Sequence, residues 1–363
     1  MATLNEYYPQ SVSHPGTTLS EILSEKQMGA KEFAVRTGKP EKTISDVLNG
    51  KSSITPEMAI LFEQVLKIPA HFWINRQKKY DEYVARIEYQ KTIDEGIEWS
   101  KQFPYAKMAS LGWIEPTLKK EVKVINLYDY FEVSNTKGYH DFYYNQKLLV
   151  NFRISLKNNE NAGAIAAWLR QGEIQAKELV VSEFNKNGLN KILPELKKIM
   201  GIQPHDFFAQ IQELCKSIGL KVVHTPCLPK APIHGSTRWL GNTPLVQLSG
   251  RYRRNDIFWF TFFHEIGHIM LHGKKYISIE NIQYDGENQA YENEANEFSA
   301  NILLTKAEEQ EIIQNQRLTE DVIAYANKFK THPAVIIGRL QHLKLVPFGL
   351  GNHLCKPIDF TIK

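Results

Sequence analysis

The sequence predicts a mainly α fold with a small β-sheet, an α+β chain of more than one domain. Three observations predict it. Apolar residues recur at helical spacing through most of residues 14–200, and helical pattern returns after the HExxH segment up to about residue 343. Between them, residues 220–249 read as short strands around the turn Gly241-Asn242-Thr243-Pro244. With 363 residues, 42% of them hydrophobic, the chain has apolar material for two or three domains, and 23% charged residues argue against wholesale disorder.

The net charge of +4 is too mild to imply a polyanion partner by itself. Cys215, Cys227 and Cys355 are widely spaced and odd in number, so a disulfide framework is not expected and a reducing compartment fits. Without a Cys-x-x-Cys pair, any metal site must draw on histidines and carboxylates. The opening MATLNEYYPQ lacks the basic-then-apolar pattern of a signal peptide, and no apolar run approaches the roughly 20 residues of a membrane helix. A soluble, cytoplasmic protein with no membrane partner is expected.

The expected domains are residues 1–75, a helical connector and middle region at 76–203, a mixed domain at 204–350, and a tail at 351–363. In the first, Thr18-x-x-Glu21 reads as a capping box ahead of Leu19, Ile22 and Leu23. A second helix runs from Ala30 to Arg36 and stops at Gly38. Lys39-Pro40 opens a third with Ile44, Val47 and Leu48 inward, ended by Asn49-Gly50. Thr55-Pro56-Glu57 begins a fourth, with an N-cap and a proline at the first helical position.

The second and third helices fit a helix-turn-helix, an all-α bundle in which Ala34 and Gly38 are small where the helices cross. Ile44 and Val47 would seat the recognition helix. Lys39, Lys42 and Lys51, with Arg36, would then meet phosphates, and Thr43 or Ser45 a base edge. Acidic and basic residues roughly balance in residues 1–75, so binding is expected to be weak or to depend on a dimer. The stretches HPGTTLSEIL and SSITPEMAILFEQVLKIPAHFW resemble the HigA-type antitoxin branch of the XRE helix-turn-helix family over residues 14–73. That resemblance implies operator DNA as a partner, bound as a homodimer.

The middle region carries Trp113, Tyr128, Phe131 and Trp168 but no chemical motif. Phe207–Ile218 reads as a helix, Leu220–His224 as a strand, and Ile233–Leu240 with Leu245–Ser249 as a hairpin. Then comes FWFTFFHEIGHIMLHG, residues 258–273. His264 and His268 are four apart and share one helical face, where two imidazoles can chelate one Zn²⁺. Glu265 is placed to take a proton from an attacking water. Phe258, Phe262, Phe263 and Ile266 mark the helix as buried, where two histidines and a glutamate are costly unless satisfied. His272 continues the spacing, either as a competing ligand or as a cation at the helix end.

A third ligand is sought in YENEANEFSANILL, residues 291–304. Glu292 lies beside the apolar stripe of Ala295, Phe298, Ser299 and Ile302, and Glu294 lies further round. Glu292 is therefore the expected ligand and Glu294 the alternative. HEIGH followed by Glu292-x-x-Ala295-Asn296-x-Phe298 resembles the ImmA/IrrE family of zinc metallopeptidases, over roughly residues 204–346. The resemblance implies a zincin-like, gluzincin-type domain: His264, His268 and a glutamate as zinc ligands, Glu265 as base, and a strand pair before the active helix that aligns an extended substrate. It also implies a repressor or antitoxin-like protein as substrate. The family's usual proline after the Leu-Leu of the glutamate helix is Thr305 here, where Thr305-x-x-Glu308 forms a capping box instead. No oxyanion stabiliser is assigned, although His234, Arg238 and Tyr252 lie near the hairpin. A second expectation is a HigA-like antitoxin or autorepressor whose C-terminal domain binds a partner without cutting it.

Overall fold

The computed structural model describes residues 11–146, 162–231, 233–275, 278–279, 287–314 and 321–360. The opening MATLNEYYPQ, read above as lacking a signal peptide, lies outside the described residues, as do residues 147–161 of the middle region. The chain divides into two units, Met1–Glu95 and Gly96–Lys363.

In the first unit, α1 (Pro15–Glu25) starts a turn earlier than the Thr18 capping box proposed. Pro15 takes the first helical position, and His14 Nδ1 accepts from Gly16 N at 2.9 Å. Proline arrives with helical φ already set and no N–H to satisfy, so it wins the start. α2 (Ala30–Thr37) ends on Gly38 at φ 64°. The close crossing expected at Ala34 and Gly38 is half corrected: Ala34 is buried, but a Cβ on Gly38 would meet nothing within 4 Å. Gly38 serves the left-handed cap. Close approach falls at Gly16, where a Cβ would sit 1.9 Å from the carbonyl oxygen of Val47 in α3 (Glu41–Leu48). In α4 (Pro56–Leu66) Thr55 Oγ1 accepts from Met58 N at 3.2 Å, as an N-cap does. Leu19, Phe33, Ile44, Val47, Phe62 and Trp73 form the core, with Trp73 supplied by α5 (Ala70–Ser100).

The second unit opens with α6 (Tyr105–Ser110), α7 (Lys120–Phe131), α8 (Thr136–Tyr139) and a π-helical turn at His140–Gln146. Trp99, Phe103, Phe131 and Tyr139 pack edge to face here. Next come α9 (Ala162–Glu178), α10 (Lys186–Ile202) and α11 (Phe207–Ser217). β1 (Lys221–His224), β2 (Gly235–Leu240), β3 (Thr243–Leu248) and β4 (Ser278–Ile279) form a sheet in the order β1-β3-β2-β4. β1 runs parallel to β3, and the other pairs are antiparallel. The hairpin is tighter than expected. Leu240 pairs with Thr243, so the turn is Gly241-Asn242, with Gly241 at φ 65°, and Thr243 and Pro244 belong to β3.

Helices cover both faces of the sheet. Thr237 Oγ1 donates to Glu265 O at 3.0 Å in α12 (Asn255–Leu271), and its neighbour Arg238 donates to Leu169 O in α9. Successive strand residues face opposite ways, so α12 and α9 lie on opposite faces. Trp168 Nε1 donates to Thr225 O at 2.9 Å and Gln247 Nε2 donates to Trp168 O at 2.7 Å, fixing α9 to the sheet. Phe258, Trp259, Phe262, Phe263 and Ile266 of α12 join Leu196, Ile211 and Val246 in the main core. α13 (Glu287–Leu303) packs along α12, followed by α14 (Lys306–Gln314), α15 (Val322–Phe329) and α16 (Pro333–His342). Before α14, Thr305 N donates to Glu308 Oε2 at 2.7 Å and Glu308 N to Thr305 Oγ1 at 3.3 Å, a reciprocal capping box. The three cysteines are free thiols. Among the described residues no helix is long and apolar enough to cross a membrane.

Candidate metal centre and nucleic-acid interface

His264 and His268 are inward on α12, and their rings meet Glu292 from α13. Nε2 of His264 and Nε2 of His268 lie 2.9 Å apart, and Glu292 Oε2 and Oε1 lie 3.2 Å and 3.4 Å from them. One ligand atom from each residue lies within 4.8 Å of the others, and all three residues are buried. The two glutamates part company here: the Glu292 side chain is 10% exposed and turned to the histidines, whereas that of Glu294 is 59% exposed and turned to His272.

The outer hydrogen bonds set the tautomers. His264 Nδ1 lies 3.0 Å from Asn296 Oδ1. An amide oxygen only accepts, so Nδ1 donates and the ring's lone pair is on Nε2. His272 Nε2 lies 3.0 Å from Glu294 Oε2, and His272 Nδ1 lies 2.9 Å from His268 Nδ1. The carboxylate accepts from His272 Nε2, and with His272 Nδ1 as the acceptor His268 Nδ1 donates, so the lone pair of His268 is also on Nε2. Two lone pairs and a carboxylate converge in a buried space, an arrangement that a divalent cation satisfies. Burial pushes His268 down to about 4 against the pull of Glu292, so the ring is neutral near pH 7. Burial alone would raise Glu292, but protons on the facing His264 and His268 rings outweigh it and hold the carboxyl at about 2, so positive charge in this space keeps the carboxylate ionised. Neutral imidazoles and an ionised carboxylate are the ligand-competent forms.

Glu265 is fully buried on the sheet side of α12. A Cβ at position 235 would lie 2.8 Å from its Oε1, so Gly235 leaves the carboxylate its room. The strand pair to which the resemblance gives a substrate-aligning role is β2 and β3. Among the described residues β3 lies between β1 and β2, while β4 pairs with β2 only at Ser236 and Thr237. Arg238 points away towards α9, while the ring of His234 packs edge to face against Tyr252 at 5.6 Å. His272, Asn296 and Glu294 were not singled out as supports by sequence reasoning. The four-residue step from His268 to His272 was a partial signal. Asn296 and Glu294 reach the histidines only through the pairing of α12 with α13.

On the first unit, Ile44 and Val47 are buried and Lys42 and Lys51 are exposed. Lys39 is half-buried and paired with Glu57 at 2.7 Å, and Arg36 pairs with Glu32. Thr43 is half-buried, and Ser45 Oγ accepts from Asn49 Nδ2 at 3.3 Å.

Comparison with known proteins matches a part of each unit. An IrrE N-terminal-like domain of the M78 peptidase family matches residues 215–341, and a helix-turn-helix matches residues 25–73. The chain belongs to the XRE-type helix-turn-helix regulators through its N-terminal domain and carries an IrrE-like metallopeptidase domain in its C-terminal part. The HTH-type transcriptional regulator YddM of Escherichia coli is 34% identical over 80 residues, which are 22% of this chain and 81% of the relative. A solved antidote protein of a plasmid maintenance system from Nostoc punctiforme is 30% identical, with a TM-score of 0.23 over 23% of this chain and 92% of that one. The Pseudomonas aeruginosa antitoxin HigA with higBA promoter is 27% identical, with a TM-score of 0.23 over 23% and 94%.

Proposed function

We propose that the protein is an operator-binding regulator whose C-terminal domain is a zinc endopeptidase of gluzincin type, acting in the cytoplasm on a repressor or antitoxin-like protein. The proposed division is DNA binding in residues 1–75, a helical middle at 76–203, a peptidase at 204–350 and a tail at 351–363. The observation that carries the reading is the convergence of His264, His268 and Glu292 in ligand-competent forms, with Glu265 on the next position of the same helix.

His264, His268 and Glu292 would hold zinc, which would supply Lewis acidity towards a water and a carbonyl. Glu265 takes a proton from the attacking water as its oxygen adds to the scissile carbonyl carbon. It returns that proton to the amine as the C–N bond breaks. Asn296 and His272 keep the two rings turned so that Nε2 faces inward. Strand addition by an extended substrate falls to the outer side of β2, beyond its short pairing with β4. At the operator, Lys42 and Lys51 meet phosphates, Thr43 and Ser45 face base edges, and Lys39 contributes once it leaves Glu57. A homodimer on a palindrome compensates for the balanced charge of the unit.

The test is Glu265→Gln in the full chain. It retains zinc, measured by elemental analysis, and fails to cut a partner that the wild type cuts, measured by mass spectrometry. If wild type and variant leave every co-purifying partner equally intact, the C-terminal domain is a binding module, as in a HigA-like antitoxin.

A further inference from the structure

The outer side of β2, given above to an extended substrate, is already taken beside Glu265. Ser236 pairs with Ile279 and Thr237 with Ser278, antiparallel, and Ser236 Oγ donates to Ser278 O at 2.7 Å. Ser236 and Ser278 are both fully buried. β4 thus lies on β2 as an added strand lies on a sheet edge.

The side chains of β2 fix the level of this pairing along α12. A Cβ on Gly235 would lie 2.8 Å from Glu265 Oε1, and Thr237 Oγ1 donates to Glu265 O at 3.0 Å. Trp239 Nε1 donates to Gly273 O at 3.0 Å, about two helical turns past Glu265. The stretch from Gly235 to Thr237 therefore lies against Glu265, and the stretch from Arg238 to Leu240 runs on towards the end of α12. A chain added only along Arg238–Leu240 lies too far on to meet Glu265. One strand edge bonds one neighbour, so the pairing of β4 and the presentation of a scissile bond to Glu265 exclude each other.

The pairing is short enough to be displaced. β3 pairs with β2 along its whole length from Gly235 to Leu240, whereas β4 pairs at Ser236 and Thr237 alone. Ser278 shares a face with its partner Thr237, the face towards α12, and its Oγ is buried with no hydrogen-bond partner among the described residues. An orphaned hydroxyl weakens the paired state. β4 is also tethered at both ends, between α12 with its two histidines and α13 with Glu292, so it returns to β2 at high effective concentration.

We propose that β4 is an autoinhibitory strap: Ser278 and Ile279 occupy the place of the substrate backbone beside Glu265, and hydrolysis requires that they leave β2. The proposal rests on the metallopeptidase reading above and adds that the site is closed to extended chains until the strap is released.

The experiment measures binding of two hydroxamates to zinc-loaded full-length protein by calorimetry. Acetohydroxamate has no chain to lay on β2, and N-acetyl-trialanyl hydroxamate has one. Ser278→Pro combined with Ile279→Pro removes both N–H donors of β4. It should tighten the trialanyl compound by at least about tenfold and leave acetohydroxamate within about twofold of wild type, with zinc content reporting that the variant is folded. Ser236→Cys combined with Ile279→Cys should close a disulfide on mild oxidation, read by peptide mass mapping, because directly paired strand positions lie within disulfide reach. The oxidised form should bind the trialanyl compound no tighter than acetohydroxamate, and reduction should restore the wild-type ratio. Unchanged affinity for the trialanyl compound in the zinc-bound double-proline variant overturns the strap and leaves the peptidase reading standing. So does an equal ratio in the oxidised and reduced forms, or a disulfide that fails to close. Should the double-proline variant lose its zinc, the cysteine pair alone decides. If neither hydroxamate binds zinc-loaded protein, the peptidase reading fails first and the strap proposal with it.

Discussion

The helix-turn-helix and the metal group place their polar residues under opposite conditions. On the first unit the candidate contacts lie at the surface and partly satisfy one another: Lys39 holds Glu57, Arg36 holds Glu32, and Ser45 accepts from Asn49. Each such bond is exchangeable with water or a phosphate at little cost. In the metallopeptidase domain the polar residues are buried, and each imidazole is steered by a named partner. There, one missing group leaves others unsatisfied where water does not compensate. Substitutions should therefore act sharply at the metal group and gradually at the DNA face.

The largest effect is expected from Glu265→Gln, which should lower peptide hydrolysis by about 10²–10⁴-fold with zinc retained. Kinetics on a quenched peptide substrate would check it, and a milder loss would put the proton on another group. Next, Glu292→Ala should abolish stoichiometric zinc, whereas Glu294→Ala and His272→Ala should weaken affinity by about 10–100-fold. Competition titration with a chelator separates the two classes. Equal losses would erase the distinction between ligand and support.

In the first unit, Ile44→Ala should destabilise the domain by about 2–5 kcal/mol, read from denaturant melts, because Ile44 is fully buried under the recognition helix. Acid should weaken the second unit. Burial holds His224 and His332 at about 4 in the folded protein against 6.5 unfolded. The unfolded chain binds the proton first, so stability is full above pH 6.5 and falls as pH drops towards 4. His332 also caps α16, accepting from Ala334 N at 3.1 Å, a bond its protonation removes. The expected midpoint shift is checked by melts across pH 4–7, and a flat profile would contradict it. The smallest effect should come from the DNA face. Lys42→Ala should weaken operator binding modestly and reduce the salt slope by about one, and Lys39→Ala should do less because its ion pair must first break. A larger loss at Lys39 would reverse that ranking.

What the sequence made legible follows the same divide. Helical periodicity and caps placed α2, α3 and α4 well, and the Thr305–Glu308 box is present as read. Local rules failed where two local signals competed, as at Thr18 against Pro15, or where strand pairing settled the turn, as at Thr243-Pro244. The spacing of His264 and His268 and the stripe beside Glu292 are helical periodicities, so they can be read from one chain segment. The supports cannot. Glu294 lies 22 positions from His272 and Asn296 lies 32 from His264, and only the pairing of α12 with α13 brings them together. The pairing of β4 is hidden for the same reason, since β4 follows α12 in sequence yet pairs with β2 before it.

One feature outside the IrrE-like match bears on how this domain is inherited. α9 precedes residue 215, yet its Trp168 and Leu169 carbonyls and its indole N–H are bonded to the rear of the sheet whose Thr237 donates to Glu265 O of α12. A recombination that transplanted only the matched segment would bare the back of that sheet, leaving Arg238 and Gln247 to find new hosts. The portable unit of this domain is longer than its recognisable signature, and a transplant that keeps the sheet closed carries α9 along.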